Sequence, residues 1–252
     1  MFISVVTPSL NQGQYIEETI RSVLAQDYLH YEHIVVDGGS TDQTRAILER
    51  YPHLRWVSEP DSGQTAAINK GLRLSTGAVV AYLCADDLYR EGALRAVAEV
   101  FEADPTTALV VGDCAMIDDQ GRRCGHYHAR LERFEDLLRY WQWGKTFCLP
   151  QASVFLRREV LDEVGWFDES YDLAMDYEMW LRVAARYPLA LLPQTLSAFR
   201  VSGATKTNRR RREMDREEFR ASRRFWRLAR GWRRWTIPGE ALLHGVFWRE
   251  GR

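Results

Sequence analysis

Two adjacent carboxylates, Asp86 and Asp87, close an apolar run that begins at Val79 and reads Val-Val-Ala-Tyr-Leu-Cys-Ala. Seven residues of this type, entered through Ser75-Thr76-Gly77, predict a buried strand. Neighbouring acids at a strand end repel each other, so they are a poor structural choice unless a cation or a helix start uses them. A hard divalent cation such as Mg²⁺ takes carboxylate oxygens together with phosphate oxygens. The structural alternative is a helix-capping Asp before Leu88-Tyr89-Arg90-Glu91. A third acid, Asp176, falls in the first turn of a predicted helix, Met175 to Ala184. It suits a capping role there, and it is equally well placed to point into a cleft from a rigid element.

The elements that must position these acids repeat one unit. A strand (Phe2–Val6) stops at Thr7-Pro8-Ser9. A helix follows, with Tyr15, Ile16, Thr19, Ile20, Val23 and Leu24 on one face. A second strand, Tyr31–Val36, ends at Asp37-Gly38-Gly39-Ser40, and helix Thr44–Arg50 comes next. A third, Leu54–Ser58, ends at Glu59-Pro60-Asp61-Ser62-Gly63, before helix Thr65–Leu74. Strand, polar loop and helix in succession predict right-handed crossovers and an α/β fold with a mostly parallel central sheet and helices on both faces. Ligands bind such sheets beyond the carboxyl ends of the strands. The four polar loops should therefore share one edge. No GxGxxG or GxxxxGK[ST] pattern occurs, so a nucleotide there would be held differently from those classes.

Further along, the pattern predicts a helix over Leu88–Glu102, a strand at Leu109–Val111 and a hairpin or loop around Asp118-Asp119-Gln120-Gly121. A short helix is expected at Phe134–Tyr140, a strand at Gln151–Leu156, a helix at Glu159–Val164, and strands at Leu189–Leu192 and Leu196–Phe199. His126 and His128 alternate as metal ligands on a strand would, but no third ligand lies near them in sequence, which argues against a metal there. Trp141 and Trp143 suit core packing, or a platform on which the C–H face of a sugar ring stacks.

Composition fits a globular chain: 252 residues, 46% hydrophobic, net charge -1. That charge hides an asymmetry, since residues 203–252 hold 15 Lys/Arg against 6 Asp/Glu and residues 1–202 hold 19 against 29. The division expected is a body over residues 1–207 and a basic, Trp/Arg-rich helical tail over 208–252. In the tail, Phe225, Leu228, Ala229, Trp232 and Trp235 recur at helical spacing among arginines. Residues 209–235 thus read as a helix lying on an anionic membrane surface or packed on the body. The acidic body argues against nucleic acid. Cys84, Cys114, Cys124 and Cys148 form no CxxC pair, and no signal peptide or 18-residue apolar run is seen. Both features suggest a cytoplasmic protein, possibilities for membrane contact being confined to the inner face.

Five motifs, in order over residues 2–207, resemble the family-2 glycosyltransferases of GT-A fold, particularly bacterial cell-surface polysaccharide enzymes. They are Ser4-Val5-Val6-Thr7-Pro8-Ser9-Leu10-Asn11, Val35 to Asp42, Ser62-Gly63-Gln64 with Ala67 to Gly71, Ala85-Asp86-Asp87, and Met175 to Leu181. The resemblance implies an inverting, metal-dependent transfer of a sugar from a UDP-, GDP- or dTDP-sugar donor to a hydroxyl of a saccharide acceptor, lipid-linked in surface polysaccharide assembly. It implies that Thr7, Pro8, Ser9 and Asp37 hold the base and ribose, with Asp61, Gly63, Asn69 and Lys70 in the same donor site. Asp86 would lie near the ribose or metal, Asp87 would coordinate Mg²⁺ or Mn²⁺ on the diphosphate, and Asp176 would be the general base. Trp141, Trp143 and Gln151 would face the acceptor. Two departures stand out: Gly38 replaces a second acid found in many relatives, and Ser202 stands where a His is common. A nucleotidyltransferase that forms a nucleotide-sugar is an alternative, but Thr7 to Gln14 lacks the basic residue such a loop needs. A non-catalytic carbohydrate-binding protein on the same fold would not need Asp86, Asp87 and Asp176 together.

Overall fold

The computed structural model describes residues 1–201, 209–231 and 233–243. Ser202, Trp232 and residues 244–252 lie outside the described residues.

Strands β1 (Ile3–Ser9), β2 (Tyr31–Asp37), β3 (Arg55–Ser58) and β4 (Val79–Tyr82) are parallel and ordered β3-β2-β1-β4. The carboxyl ends of all four therefore meet on one edge. Beyond β4 the sheet continues through β10 (Val154–Arg157), β6 (Leu109–Ile117), β11 (Leu189–Arg200) and β5 (Leu88–Tyr89). β10 and β5 run antiparallel to their neighbours, whereas β6 and β11 are parallel to each other. β7 (Arg123–Tyr127) takes over the flank of β6 where β10 ends, and β8 (Arg130–Leu131) and β9 (Phe147–Cys148) form a separate ribbon.

Side chains alternate across the sheet with the two-residue period of a strand. Val5, Val79 and Ala81 face one way, into a core with Val23 of α1 (Ile16–Leu24) and Leu94, Val97 and Phe101 of α4 (Ala93–Ala103). Val6, Val80 and Tyr82 face the other way, toward Ile68 and Leu72 of α3 (Gln64–Leu74), Leu161 of α6 (Arg158–Val164) and Met179 and Trp180 of α7 (Met175–Ala184). Short helices α2 (Thr44–Leu48) and α5 (Phe134–Leu137) complete the body. α3 lies close on β1 because Gly71 has no side chain; a Cβ there would come within 2.3 Å of Val6 Cγ1.

Several elements differ from the pattern-based expectation. Thr7, Pro8 and Ser9 are not a loop but the end of β1, paired with Val35, Val36 and Asp37. Pairing of β4 on β1 stops at Val6, and a proline is tolerated where a strand has only one partner. The apolar run from Val79 is strand for only four residues. Leu88-Tyr89 is an edge strand rather than helix, since Gly92 at φ 76° delays α4 to Ala93. Gln151–Ser153 is a 3-10 turn ahead of β10. The last two predicted strands are one, β11, with register shifts beside Pro193.

The basic tail also breaks within residues 209–235, which were read as one helix. It forms α8 (Arg211–Arg223), a 3-10 turn at Trp226–Leu228 and α9 (Arg233–Leu243). Ala221, Ala229 and Ile237 are buried in the same core as α3 and α7. Its arginines meet acids of the body: Arg224 reaches the buried Glu178 at 3.0 Å and Arg233 reaches Asp136 at 3.1 Å. The opposed charges of body and tail thus account in part for how the tail is held. Trp235 stays 78% exposed.

Candidate functional site

The site forms at the carboxyl edge of the four parallel strands. β2 delivers Asp37, fully buried, whose Oδ2 accepts Ser40 N–H at 2.9 Å and the Ser58 hydroxyl at 2.6 Å, while the Ser40 hydroxyl donates to Oδ1. Gly38 N–H donates to Ser9 O at 2.8 Å, which ties the β1 and β2 ends together. Ser9 Oγ, in contrast, is buried with no hydrogen-bond partner among the described residues. Thr7 Oγ1 pairs with Nε2 of His33 at 2.9 Å.

Asp61 stands over Gly38. A Cβ at Gly38 would lie 2.9 Å from Asp61 Oδ2, so the carboxylate occupies the space that a side chain at position 38 would need. Asp61 Oδ1 accepts Gly63 N–H at 2.9 Å. Asn69 is turned away from this edge. Its amide clamps the loop before α7, donating to Phe167 O at 2.9 Å and accepting Phe167 N–H at 3.1 Å. Lys70 pairs with Glu59 on the surface.

The loop after β4 carries Asp86 and Asp87. Asp87 is fully buried; Oδ1 accepts the Arg200 N–H at 3.0 Å, and Oδ2 has no hydrogen-bond partner among the described residues. Burial, and next the charge of Asp86, push the Asp87 carboxyl well above the usual range. Burial raises Asp86 too, against the pull of Arg200. Arg200, only 1% exposed, binds the loop together. It donates to Asp86 O at 3.1 Å and Asp118 O at 3.0 Å, pairs with Glu18 at 2.7 Å and lies 4.5 Å from the Tyr15 ring centre.

Cys84 lies beside Asp86 and Asp87. One ligand atom from each of Cys84, Asp86 and Asp87 falls within 4.8 Å of the others. Burial raises the Cys84 thiol, and the charges of Asp87, Asp86 and Asp176 raise it further. The adjacent Asp86 and Asp87 and the distant Asp176 thus all bear on one thiol. Gln64 donates to Cys84 Sγ at 3.4 Å, and Cys84 Sγ lies 3.8 Å from Gln151 Oε1. Gln151 also donates to Tyr82 O at 2.7 Å, so it belongs to this centre. Trp143, 41% exposed, packs edge-on against Phe147 and Tyr127, and Trp141 packs on Tyr140 and is half-buried.

Asp176 opens α7. Its Oδ1 accepts Tyr177 N–H at 2.7 Å. The residue keeps part of its surface open, but protein atoms crowd the carboxyl, and this desolvation pushes it up to about 6. The backbone leading into α7 is held by Glu217 of α8, which accepts N–H groups of Asp172, Leu173 and Ala174.

A divalent cation fits this donor set. The orphaned Asp87 Oδ2 is a buried anionic acceptor, and Asp86 adds hard oxygen. The raised thiol of Cys84 makes it a poor ligand, so Asp86 and Asp87 are the residues that would hold the ion.

The model of the Glycosyl transferase family 2 matches residues 4–165, which include nearly all of β1, the loops after β2 and β3, and Asp86 and Asp87. The chain belongs to this family. TuaG of Bacillus subtilis, named as a teichuronic acid biosynthesis glycosyltransferase, is 42% identical over 99 residues, covering 37% of this family-2 chain and 39% of that protein. The matched segment is thus well under half of either protein. Staphylococcus aureus TarS 1-349 in complex with UDP-GlcNAc superposes with a TM-score of 0.73 at 19% identity, covering 96% of this chain and 72% of that one. The mannosyltransferase PcManGT from Pyrobaculum calidifontis, in complex with GDP-Man and Mn²⁺, gives 0.66 at 22% identity over 96% and 69%. These likenesses fix the GT-A type of fold.

Sequence reasoning gave no site role to Arg200, Cys84, Gln64 or Glu217, although Cys84 and Gln64 lie in stretches it singled out. Each acts through a contact made across the fold, which local spacing does not mark.

Proposed function

We propose that this family-2 glycosyltransferase moves a sugar from a nucleotide-sugar to a saccharide hydroxyl with inversion, in bacterial surface polysaccharide assembly. The observation that carries the reading is the cluster of Cys84, Asp86 and Asp87 at the carboxyl edge of the parallel strands, one ligand atom of each within 4.8 Å of the others; the desolvated carboxyl at the start of α7, Asp176, supports it. A sugar hydroxyl is a weak nucleophile. A carboxylate whose affinity for protons is raised by burial is suited to take its proton, a contribution of about 10²–10⁴-fold. A divalent cation bound by Asp86 and Asp87 would offset charge on the departing diphosphate. One base on the acceptor side and one cation on the leaving-group side fit a single in-line displacement, which needs no second nucleophilic carboxylate.

The donor is a nucleoside diphosphate sugar, as the ligands named for TarS and PcManGT suggest. The base and ribose would lie over Thr7, Pro8, Ser9 and Asp37, where the Ser9 hydroxyl, without a hydrogen-bond partner among the described residues, would bond the ligand. Asp61 would supply the acid that Gly38 omits. Asn69 would serve that site by holding the loop before α7, and Lys70 and Gly63 would border it. Trp143, Trp141 and Gln151 would face the acceptor. The name of TuaG supports a cell-envelope polysaccharide acceptor, here taken as lipid-linked. Among the described residues no helix is long and apolar enough to cross a membrane. Contact with an anionic surface would instead use the exposed Trp235 and Leu228, and flotation with anionic liposomes should weaken in Trp235→Ala.

The reading is tested by incubating the chain with single UDP-, GDP- and dTDP-sugars, Mn²⁺ and lipid-linked saccharide acceptors, and determining the anomeric configuration of the product. Transfer with inversion is expected. Retention, or no transfer from any of the donors, would overturn it.

A further inference from the structure

Asp113, His126 and His128 form a second cluster, sharing no residue with the Cys84/Asp86/Asp87 group. The ladder between β6 and β7 builds it. Cys114 pairs with Tyr127 and Ala115 with His126. Continuing that register sets Asp113 opposite His128, and residues two apart share a face. Both histidines therefore converge on one carboxylate. Asp113 Oδ2 is 2.8 Å from His128 Nδ1 and 3.3 Å from His126 Nε2, and the two rings are 4.4 Å apart. Ala129 N–H donates to Oδ1 at 2.8 Å, which fixes the carboxylate. Sequence spacing gave two ligands; the third comes from the neighbouring strand.

We propose that Asp113, His126 and His128 bind a borderline-soft divalent cation, best represented by Zn²⁺, with water in the remaining position. Two imidazoles and a carboxylate are a common ligand set for such ions, at about 2.0–2.2 Å from the metal. Ligand atoms around a tetrahedral ion are then about 3.3 Å apart, close to the separations already present. His128, with its side chain 78% exposed, leaves the ion a route from solvent. A hard ion such as Mg²⁺ prefers all-oxygen surroundings and would be held poorly.

Arg123 bears on this site in a direction that can be tested. Its Nη2 is 3.1 Å from His126 Nδ1, and a guanidinium can only donate. Nδ1 is thus the acceptor, and the Nε2 proton points at Asp113. For Nε2 to bind a cation, that proton must move to Nδ1, and the exposed Arg123 must withdraw. Arg123 therefore competes with the metal.

The full chain should be dialysed against Zn²⁺ and its metal content measured, beside H126A/H128A, His128→Ala alone and Arg123→Ala. The wild type is expected to retain one equivalent more than H126A/H128A, and to show the visible absorption of tetrahedral Co²⁺ when loaded with that ion. His128→Ala, on an exposed side chain, keeps the test open if the double variant does not fold, and should lose the same equivalent. Arg123→Ala should tighten binding by about tenfold, the lower end of what groups behind the ligands typically contribute. Equal Zn²⁺ content in the wild type and the histidine variants would overturn the proposal. Zn²⁺ content is independent of sugar transfer, so failure here leaves the enzymatic reading untouched.

Discussion

Glu217 holds the backbone of Asp172, accepting its N–H with both carboxylate oxygens at 3.1 Å. The same carboxylate takes the N–H groups of Leu173 and Ala174, so three donors just ahead of α7 share one acceptor from the tail. Asp176 lies two residues beyond. The tail thus sets the pose of the proposed base.

Removing that support should act on the rate more than on donor binding. Glu217→Ala leaves three backbone donors without their charged partner, at a cost of about 1–3 kcal/mol. Chain entry to α7 would loosen, and kcat is expected to fall about tenfold while KM for the nucleotide-sugar stays within about twofold. Glu217→Gln keeps a carbonyl acceptor and should recover part of the rate. Steady-state kinetics with denaturant unfolding check this; a loss confined to stability would show that Glu217 is only structural.

Asp176→Asn should cut kcat by about 10²–10⁴-fold and leave nucleotide-sugar affinity nearly unchanged. In the wild type the acid is pushed up to about 6, so kcat should rise with pH through about 6 and then level off. Stability carries the opposite sign. The folded-state value lies above the unfolded one, so the associated stability is present below about 4 and is lost as pH rises through 6. Asp176→Asn should therefore be no less stable than the wild type at pH 8. A variant that binds donor poorly, or a profile flat between pH 5 and 8, would count against the assigned role.

The carboxyl edge was legible from sequence because strand, loop and helix repeat at short range, and the four strand ends fall together in any right-handed parallel arrangement. Asp86 and Asp87 were legible because paired acids after an apolar run have few structural uses. Elsewhere the local signal was outweighed. Leu88-Tyr89 looks helical, but Gly92 and a free edge of β11 draw it into the sheet. The tail has the spacing of one long helix, yet burial of Ala221, Ala229 and Ile237 in the body core is served better by two helices with a turn between. Arg200 reads as the end of a strand, and only the folded chain brings its side chain to Glu18, Asp86 and Asp118.

Gly38 and Asp61 give a test of donor selection. Because a Cβ at position 38 would meet Asp61 Oδ2 at 2.9 Å, Gly38→Ala should displace the Asp61 side chain rather than the backbone. Both Gly38→Ala and Asp61→Asn are expected to raise KM for the preferred donor at least fivefold, a loss of about 1 kcal/mol. Folding should be little affected, since Asp61 is exposed. Unchanged KM in Asp61→Asn would remove it from base recognition.

His33 makes a separate prediction for acid stability. It is buried beneath the donor edge beside Thr7, and burial, with a smaller effect of His53, pushes its imidazole down to about 3. The folded chain keeps it neutral while the unfolded chain protonates it near the ordinary value of about 6.5. Stability from this group is therefore full above 6.5 and drains as pH falls toward 3, by up to about 1.4 kcal/mol per pH unit. Asp176 works the other way over its own window, between about 4 and 6, so the two partly cancel in the wild type. Urea unfolding at pH 7, 6 and 5 should show a steeper loss on acidification in Asp176→Asn, where the Asp176 contribution that offsets His33 is gone. His33→Leu should lose baseline stability, because the Thr7 hydroxyl is left unpaired, yet decline less with acid. Parallel pH curves for the wild type and His33→Leu would mean that the imidazole takes up its proton without unfolding.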